Sequence, residues 1–384
     1  MQSDHGTILV VDDSELNRDL LTRRLERHGY IVISAVDGAQ ALELIQVGRF
    51  DIVLLDVMMP GMDGYEVLKR LKANPTLRHI PVIMISAVED LDSVVKCIEL
   101  GAEDYLTKPF NPVLLRARIS ACLEKKWLRD QEQAYLHVVK QEMELGRRIQ
   151  ADFFPAMLPQ PPGWEIAAAF QPAREVAGDF YDAFELPNNK LGLLIADVCD
   201  KGVGAALYMT LVRSLMRAFA DQSPTGIDNP LYAIELTNSY IARHHYRSRP
   251  RMFATLFFGV VDITSGIMTY VNSGHLPPVL LGPAGIKTML DPTGPAIGLI
   301  DGSPFSIAQT QIEPGDTLIA YTDGITEARN TCRDLFGEDR LLAILQQPAP
   351  AIIPLMERIK GDVYAHVGHT ALADDITMLA IRRI

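Results

Sequence analysis

Between residues 7 and 121, short continuous apolar runs alternate with segments of helical spacing. The runs are Thr7-Val11, Ile31-Ala35, Asp51-Leu55, Pro81-Ile85 and Tyr105-Thr107. Between the first two, Leu16, Leu20, Leu21 and Leu25 recur at intervals that put them on one side of a helix. Strands that are apolar throughout, rather than at every second residue, are buried on both faces. The pattern therefore predicts five strand-helix repeats in a doubly wound, five-stranded parallel α/β sheet. In such sheets ligands sit beyond the carboxyl ends of the strands, so the polar residues that follow each strand are where chemistry is expected.

From about Asn111 to Asp152 the only helix breakers are Pro112 and Gly146. Leu128, Tyr135, Val138, Leu145 and Ile149 fall on alternating three- and four-residue steps, with Gln131 and Glu142 interrupting the seam. This predicts a long helix with a coiled-coil-like stripe suited to a homodimer; a solvated helix resting on one of the domains is the alternative. Pro155, Pro159, Pro161 and Pro162 end it.

Beyond Trp164, strand-like runs outnumber helices. They are Leu191-Ala196, Ala254-Asp262, Met268-Asn272, Thr317-Tyr321 and Ile376-Ile381, with helices near Ala205-Ala220 and Ala233-His244. Turn signals at Pro187-Asn188-Asn189 and Thr264-Ser265-Gly266 split strands into hairpins. An α+β domain with antiparallel sheets follows. The expected division is 1-122, a helical linker 123-162, and a second domain 163-384.

The chain has 384 residues, ample for two domains. Its 48 Asp and Glu outweigh 36 Lys and Arg, a net charge of -12. That balance disfavours non-specific nucleic-acid or anionic-membrane binding, which begins with attraction to phosphate. No run approaches the roughly 18 apolar residues of a membrane span, and Met1 to Asp13 lacks the layout of a secretory signal. Cys97, Cys122, Cys199 and Cys332 are scattered, without Cys-x-x-Cys spacing. The expectation is a cytoplasmic protein with neither disulfide framework nor structural zinc.

Asp12 and Asp13 follow the first strand, Asp56 ends the third, Ser86 the fourth and Lys108 the fifth. Three carboxylates brought together repel unless a cation neutralises them, and oxygen-only ligands suit Mg²⁺. Lys108 can neutralise an incoming phosphoryl oxygen and Ser86 can donate to one, which makes Asp56 a candidate nucleophile for an aspartyl phosphate. Any one of these aspartates alone would read as a loop or N-cap residue; five suitable residues at the ends of four of the five strands do not.

Residues 5 to 122 resemble the receiver domain of bacterial response regulators, the CheY-like fold. The resemblance rests on Val10-Val11-Asp12-Asp13, Leu55-Asp56-Val57-Met58-Met59-Pro60, Ile85-Ser86-Ala87 and Gly101-Ala102-Glu103-Asp104-Tyr105-Leu106-Thr107-Lys108-Pro109-Phe110. It implies Asp56 as phospho-acceptor, and Asp12, Asp13, Asp56 and the Met58 carbonyl around Mg²⁺. It further implies Ser86, Tyr105 and Lys108 as the switch residues, a cis bond before Pro109, and a sensor histidine kinase as partner.

Four acidic signatures lie beside apolar strands in the second half: Ala177-Gly178-Asp179-Phe180-Tyr181-Asp182, Ile195-Ala196-Asp197-Val198, Tyr321-Thr322-Asp323-Gly324 and Asp374-Asp375-Ile376-Thr377. Singly, each would make a turn. Together, without His or Cys at metal spacing, they suggest a hard-cation site. Two ions held by bridging carboxylates can activate a water and clamp a phosphoryl group. From about Met143 to Ile384 the chain resembles metal-dependent PPM-type Ser/Thr protein phosphatases of the SpoIIE/RsbU-like branch. Glu144-Leu145-Gly146-Arg147-Arg148-Ile149-Gln150, Lys201-Gly202-Val203-Gly204-Ala205-Ala206-Leu207, Asn272-Ser273-Gly274-His275 and Gly324-Ile325-Thr326-Glu327-Ala328 add to the match. The fold it implies is an antiparallel β-sandwich flanked by helices. The resemblance implies Asp179, Asp197, Asp323, Asp374 and the Val198 carbonyl around two Mn²⁺ or Mg²⁺, with Asp375 a secondary candidate. Arg174 has the spacing of a phosphate-binding arginine, with a surface salt bridge as the alternative. Cys199 stands where animal relatives carry a histidine proposed to protonate the leaving group.

Gly202-x-Gly204 is no dinucleotide fingerprint, since Leu207 fills its last position. His366 and His369 could share a helix face, and His275 is expected to make a structural hydrogen bond.

The resemblances together imply a response regulator whose phosphatase acts on a phosphoprotein, an anti-sigma-factor antagonist in a partner-switching pathway. The rivals are a phosphorylation-gated scaffold that binds such a partner without hydrolysis, and a DNA-binding regulator, which the missing helix-turn-helix pattern disfavours.

Overall fold

The computed structural model describes residues 6–87, 91–222, 230–244 and 252–384. The chain divides into two compact units, Met1–Val139 and Lys140–Ile384.

The first unit contains β1 (Thr7–Val11), α1 (Glu15–Glu26), β2 (Ile31–Ala35), α2 (Gly38–Val47), β3 (Ile52–Asp56), α3 (Gly64–Ala73), β4 (Val82–Ser86), α4 (Leu91–Glu99), β5 (Asp104–Thr107) and the start of α5 (Pro112–Ala151). The five strands are parallel in the order β2-β1-β3-β4-β5. Successive residues of a strand point to opposite faces, and here both faces are covered. Leu9 and Val11 join Ala41, Val67, Leu71 and Cys97 from α2, α3 and α4. Ile8 and Val10 join Leu21, Leu25, Leu115 and Ile119 from α1 and α5. The unbroken apolar runs of β1, β3 and β4 thus have the reason the sequence assigned them; β2, at the edge of the sheet, does not, and its Ile31 and Ile33 are exposed. The bond between Lys108 and Pro109 is cis, as expected.

Helix α5 covers 40 residues, within a residue or so of the predicted span. Leu115, Ile119, Cys122 and Leu123 are buried, whereas Leu128, Tyr135, Val138, Leu145 and Ile149 are each at least half exposed.

The second unit contains β6 (Trp164–Gln171), β7 (Phe180–Leu186), β8 (Lys190–Val198), α6 (Val203–Asp221), α7 (Pro230–His244), β9 (Ala254–Asp262), β10 (Ile267–Ser273), β11 (Val279–Gly282), β12 (Gly285–Met289), β13 (Ala308–Gln311), β14 (Thr317–Tyr321), α8 (Asp323–Thr326), α9 (Glu338–Leu345), α10 (Ile352–Val367) and β15 (Ile376–Arg383). Two five-stranded antiparallel sheets, β13-β10-β9-β8-β7 and β12-β11-β14-β15-β6, face one another. Leu191, Leu193 and Ile195 of β8 meet Leu318, Ala320, Leu379 and Ile381 of β14 and β15 in the layer between them. The outer face of the first sheet packs under Met209, Val212 and Met216 of α6 and Ile234 and Ile241 of α7. The outer face of the second packs under Leu341, Leu345, Leu355 and Ile359 of α9 and α10.

Asn188 and Asn189 both take positive φ in the β7-β8 turn, and Gly266 does so between β9 and β10, as those turn signals required. Helices α9 and α10 were not anticipated. Pro354 lies in the first turn of α10, where no amide hydrogen bond is lost. Because α10 ends at Val367, His366 and His369 do not share a helix face. His366 instead bonds to Arg340 and to the Asp334 carbonyl. Among the described residues, no helix is long and apolar enough to cross a membrane.

Candidate functional site

The parallel strand order brings the ends of β1, β3, β4 and β5 side by side. Oxygens of Asp12, Asp13 and Asp56 lie within 4.8 Å of one another. Asp12 is held from three directions: its Oδ1 accepts from the Ser14 amide (2.9 Å) and Asn17 Nδ2 (3.1 Å), and its Oδ2 from Lys108 Nζ (2.8 Å). Lys108 Nζ also donates to Asp56 Oδ2 at 2.7 Å. Burial raises the Asp56 carboxyl, an effect that Lys108 opposes and the Asp12 charge reinforces. Burial pulls the Lys108 ammonium down, yet its bonds to Asp12 and Asp56 outweigh that and leave it raised. Met58 is exposed, and its amide lies 3.4 Å from Asp56 Oδ1. Ser86 and Tyr105 are buried. The sequence-derived residues therefore converge: a buried carboxylate for a nucleophile, two more beside it, and one ammonium between them.

In the second unit Asp179 precedes β7, Asp197 lies near the end of β8, Asp323 opens α8 after β14, and Asp374 and Asp375 precede β15. Asp179 is almost fully buried. Its Oδ2 accepts from Thr322 Oγ1 (2.6 Å) and Thr377 Oγ1 (2.7 Å). Thr377 occupies the inward phase of β15, and Thr322 follows β14 directly. Both sit inside the aspartate motifs, where the sequence singles out the carboxylates and not these hydroxyls. Burial and then the Asp197 charge hold the Asp179 carboxyl well above the ordinary range. Asp197 is pushed to about 7 by burial and the Asp323 charge. Asp323 is pushed to about 6 by burial and the Asp374 charge. Carboxylates raised by burial and by one another are a set short of positive charge, and hard divalent cations suit such oxygen donors. The donor type is the one the expected ions take, although among the described residues only Asp12, Asp13 and Asp56 bring three such oxygens within 4.8 Å of one another. Lys201 supplies one cation, pairing with Asp374 Oδ2 at 2.5 Å.

Asp375 is engaged otherwise. Its two oxygens accept from the Ala173 amide (2.7 Å) and the Gly178 amide (2.9 Å), so it clasps the loop that delivers Asp179. A Cβ on Gly324 would lie 1.9 Å from the Asp375 carbonyl oxygen, so this approach of α8 to β15 demands glycine. On the far side of the same loop, Gln150 in the last turn of α5 makes a reciprocal pair with Ala177. Its Nε2 donates to the Ala177 carbonyl (2.7 Å) and its Oε1 accepts from the Ala177 amide (3.0 Å). Sequence reasoning placed Gln150 in a motif without seeing this contact; a lone glutamine beside an apolar stripe carries little signal.

Arg174 is exposed and makes no ion pair among the described residues. The Cys199 thiol accepts from the Phe253 amide at 3.0 Å and is raised by burial. His275 is buried, with Nδ1 3.1 Å from Thr255 Oγ1 and its amide bonded to Asn272 Oδ1. It is the structural histidine expected.

The family model for the response regulator receiver domain matches residues 8–120, and that for Stage II sporulation protein E (SpoIIE) matches residues 187–384. The latter segment contains Asp197, Asp323, Asp374 and Asp375; Asp179 lies just ahead of it. Protein IcfG of Synechocystis sp. is 43% identical over 397 aligned residues, covering 98% of this chain and 58% of IcfG. Response regulator PleD of Caulobacter vibrioides is 43% identical over 142 residues, covering 37% of this chain and 30% of PleD. The chain thus spans less than two thirds of either relative. The SiaA-PP2C domain of Pseudomonas aeruginosa aligns with a TM-score of 0.55 at 21% identity, covering 65% of this chain and 98% of that one, a likeness of fold. With the SpoIIE model matching just over half of its residues, behind a receiver domain, the chain belongs to the SpoIIE family.

Proposed function

We propose that this chain is a two-component response regulator in which phosphorylation of Asp56 controls a metal-dependent Ser/Thr phosphoprotein phosphatase. The observation that carries the enzymatic reading is the crowding of Asp179, Asp197, Asp323 and Asp374. Their burial and mutual repulsion raise Asp197 to about 7 and Asp323 to about 6. A scaffold has no reason to retain so unfavourable a set.

In this reading Asp179, Asp197, Asp323, Asp374 and the Val198 carbonyl hold two Mn²⁺ or Mg²⁺. When bound, the ions make a water nucleophilic at neutral pH and offset phosphoryl charge. The protein's part is preorganisation. Thr322 and Thr377 fix which oxygen of Asp179 points inward, Asp375 and Gln150 hold its loop from two sides, and Lys201 balances Asp374. Arg174, exposed and without an ion pair among the described residues, is free to meet a substrate phosphate with its guanidinium fork. Cys199, with its thiol raised, is neutral and poorly suited to donate a proton. A metal-bound water or a neighbouring acid would then have to protonate the leaving serine or threonine oxygen, which implies slow turnover.

At the receiver, an Asp56 oxygen attacks the phosphorus of a phosphohistidine on the sensor kinase. The O–P bond forms as the N–P bond breaks, and Lys108 stays to neutralise the phosphoryl oxygens. Asp12, Asp13 and the Met58 carbonyl hold Mg²⁺ beside it; Ser86 and Tyr105 rearrange around the new charge. The signal leaves through α5, whose exposed stripe is proposed to pair in a homodimer and whose last turn grips the Asp179 loop through Gln150. Resemblance alone favours an anti-sigma-factor antagonist as substrate, and the scattered cysteines favour the cytoplasm as location.

The test is hydrolysis of a phosphoserine peptide by the full chain with Mn²⁺. Turnover that Asp197→Asn and Asp323→Asn each abolish supports the reading. Absence of metal-dependent turnover leaves the phosphorylation-gated scaffold.

A further inference from the structure

The receiver unit has a concavity that neither the phosphorylation site nor the phosphatase uses. It opens between the C-terminal half of α1 and the start of α5, with a volume of about 280 Å³. Leu25, Leu115, Pro112 and the ring of Tyr30 make an apolar floor, and Arg24, Arg27, Arg116 and His28 stand around it. No carboxylate is among the lining residues.

Three features set this cluster apart in a chain of net charge -12. Arg27, His28 and Arg116 make no ion pair among the described residues, and Arg24 reaches only the Phe110 carbonyl, at 3.4 Å. Their neighbours behave differently: Arg23 pairs with Asp19 and Arg118 with Asp104. Three like charges around one hollow, with no carboxylate lining it, favour an anion there. Guanidinium groups are also the side chains that match phosphate oxygens two at a time.

The floor narrows the class of ligand. A bare anion needs the rim and has no use for an apolar, partly aromatic base. The volume lies near the lower limit of small-molecule sites, about 300 Å³, which suits one planar ring system with its sugar. We propose that this hollow is a binding site for a nucleoside di- or triphosphate. The base lies against Tyr30, Leu25 and Leu115, and the phosphates meet Arg27, Arg116 and Arg24. The site is separate from Asp56, so nucleotide binding is a second input to the receiver.

The test uses the full chain in EDTA, which keeps phosphates from the aspartate clusters by leaving those clusters negative. Calorimetric titration is done with ADP, with GDP and with inorganic pyrophosphate, for wild type and for Arg27→Ala/Arg116→Ala. The two substituted residues are exposed and lie outside both aspartate sites, so the fold is retained; matching melting temperatures confirm this. The expected result is saturable binding of a nucleotide, weakened at least about tenfold in the double variant, as the loss of one or two charge-assisted hydrogen bonds requires. It also weakens as salt rises, and pyrophosphate binds less tightly than the nucleotide. Three results overturn the proposal. One is no saturable nucleotide binding up to about 5 mM, corresponding to roughly the weakest affinity of a specific site. Another is binding that the double variant leaves unchanged, which puts the nucleotide elsewhere. The third is pyrophosphate bound as tightly as nucleotide, which makes the hollow a bare anion site.

Discussion

Replacing Gln150 by leucine tests how the long helix speaks to the catalytic loop. Gln150 and Ala177 are buried, and their reciprocal bonds of 2.7 and 3.0 Å tie the last turn of α5 to the strand of chain just ahead of Asp179. Leucine is of similar volume, so the loss is one of hydrogen bonding rather than packing. It leaves the Ala177 amide and carbonyl buried without partners, at about 1–3 kcal/mol each. Greater apolar burial of leucine offsets part of this, and a net loss of about 2–4 kcal/mol is expected. For a domain of this size each kcal/mol lowers the melting temperature by roughly 2–4 °C, so the phosphatase transition falls by about 5–15 °C. The second readout is regulatory. With phosphoryl-mimicking beryllofluoride on Asp56, wild-type turnover changes, whereas Gln150→Leu keeps a basal rate and loses most of the response. Calorimetry paired with phosphoserine-peptide turnover measures both. An unchanged melting temperature together with an unchanged response would refute the claim that this contact fixes the loop.

Further outcomes follow from other buried polar groups. In Asp375→Asn an amide nitrogen must face either the Ala173 or the Gly178 amide, so one bond is lost and turnover falls about 10–100-fold through misplacement of Asp179; a wild-type rate would show the clasp to be dispensable. His275 is lowered from 6.5 to about 4, chiefly by burial, against the pull of the Tyr321 backbone. The unfolded chain binds this proton below about pH 6.5 while the folded one does not until about 4. Stability therefore falls as pH falls through that window, by about 2 kcal/mol between pH 7 and 5. Urea unfolding at both pH values should show that slope reduced in His275→Gln, and equal slopes would contradict it. Asp182 is fully buried between Arg213 (2.7 Å) and the more exposed Arg217 (3.0 Å). Asp182→Ala strands Arg213 and should cost about 3–5 kcal/mol in urea unfolding; a loss under about 1 kcal/mol would mean that water replaces the carboxylate.

The parallel sheet was legible because its strands bury both faces: Leu9 and Ile8 both had to be apolar, and they are. Its site was legible for the same reason, since a fold that aligns strand ends turns five separated residues into neighbours. The sandwich was read less fully. Ala167, Ala168 and Ala169 in β6 have little strand character, and β6 forms because β15 pairs along its whole length, a contact more than 200 residues distant in sequence. The aspartates announced themselves by charge beside apolar strands. Thr322, Thr377 and Gln150 did not, because a hydroxyl or amide becomes informative only when its partner is known. Asp375 shows the converse. Charge alone suggested a ligand, whereas its two amide donors make it a clasp.

The central claim is that the state of Asp56 sets the rate of the aspartate-lined phosphatase site. The direct measurement is Mn²⁺-dependent hydrolysis of a phosphoserine peptide by the full chain, with and without beryllofluoride, in wild type and Asp56→Asn. The account predicts a beryllofluoride-dependent change in rate in wild type and none in Asp56→Asn, with hydrolysis in both abolished by Asp197→Asn. A rate indifferent to beryllofluoride in wild type would contradict it, leaving receiver and phosphatase merely joined.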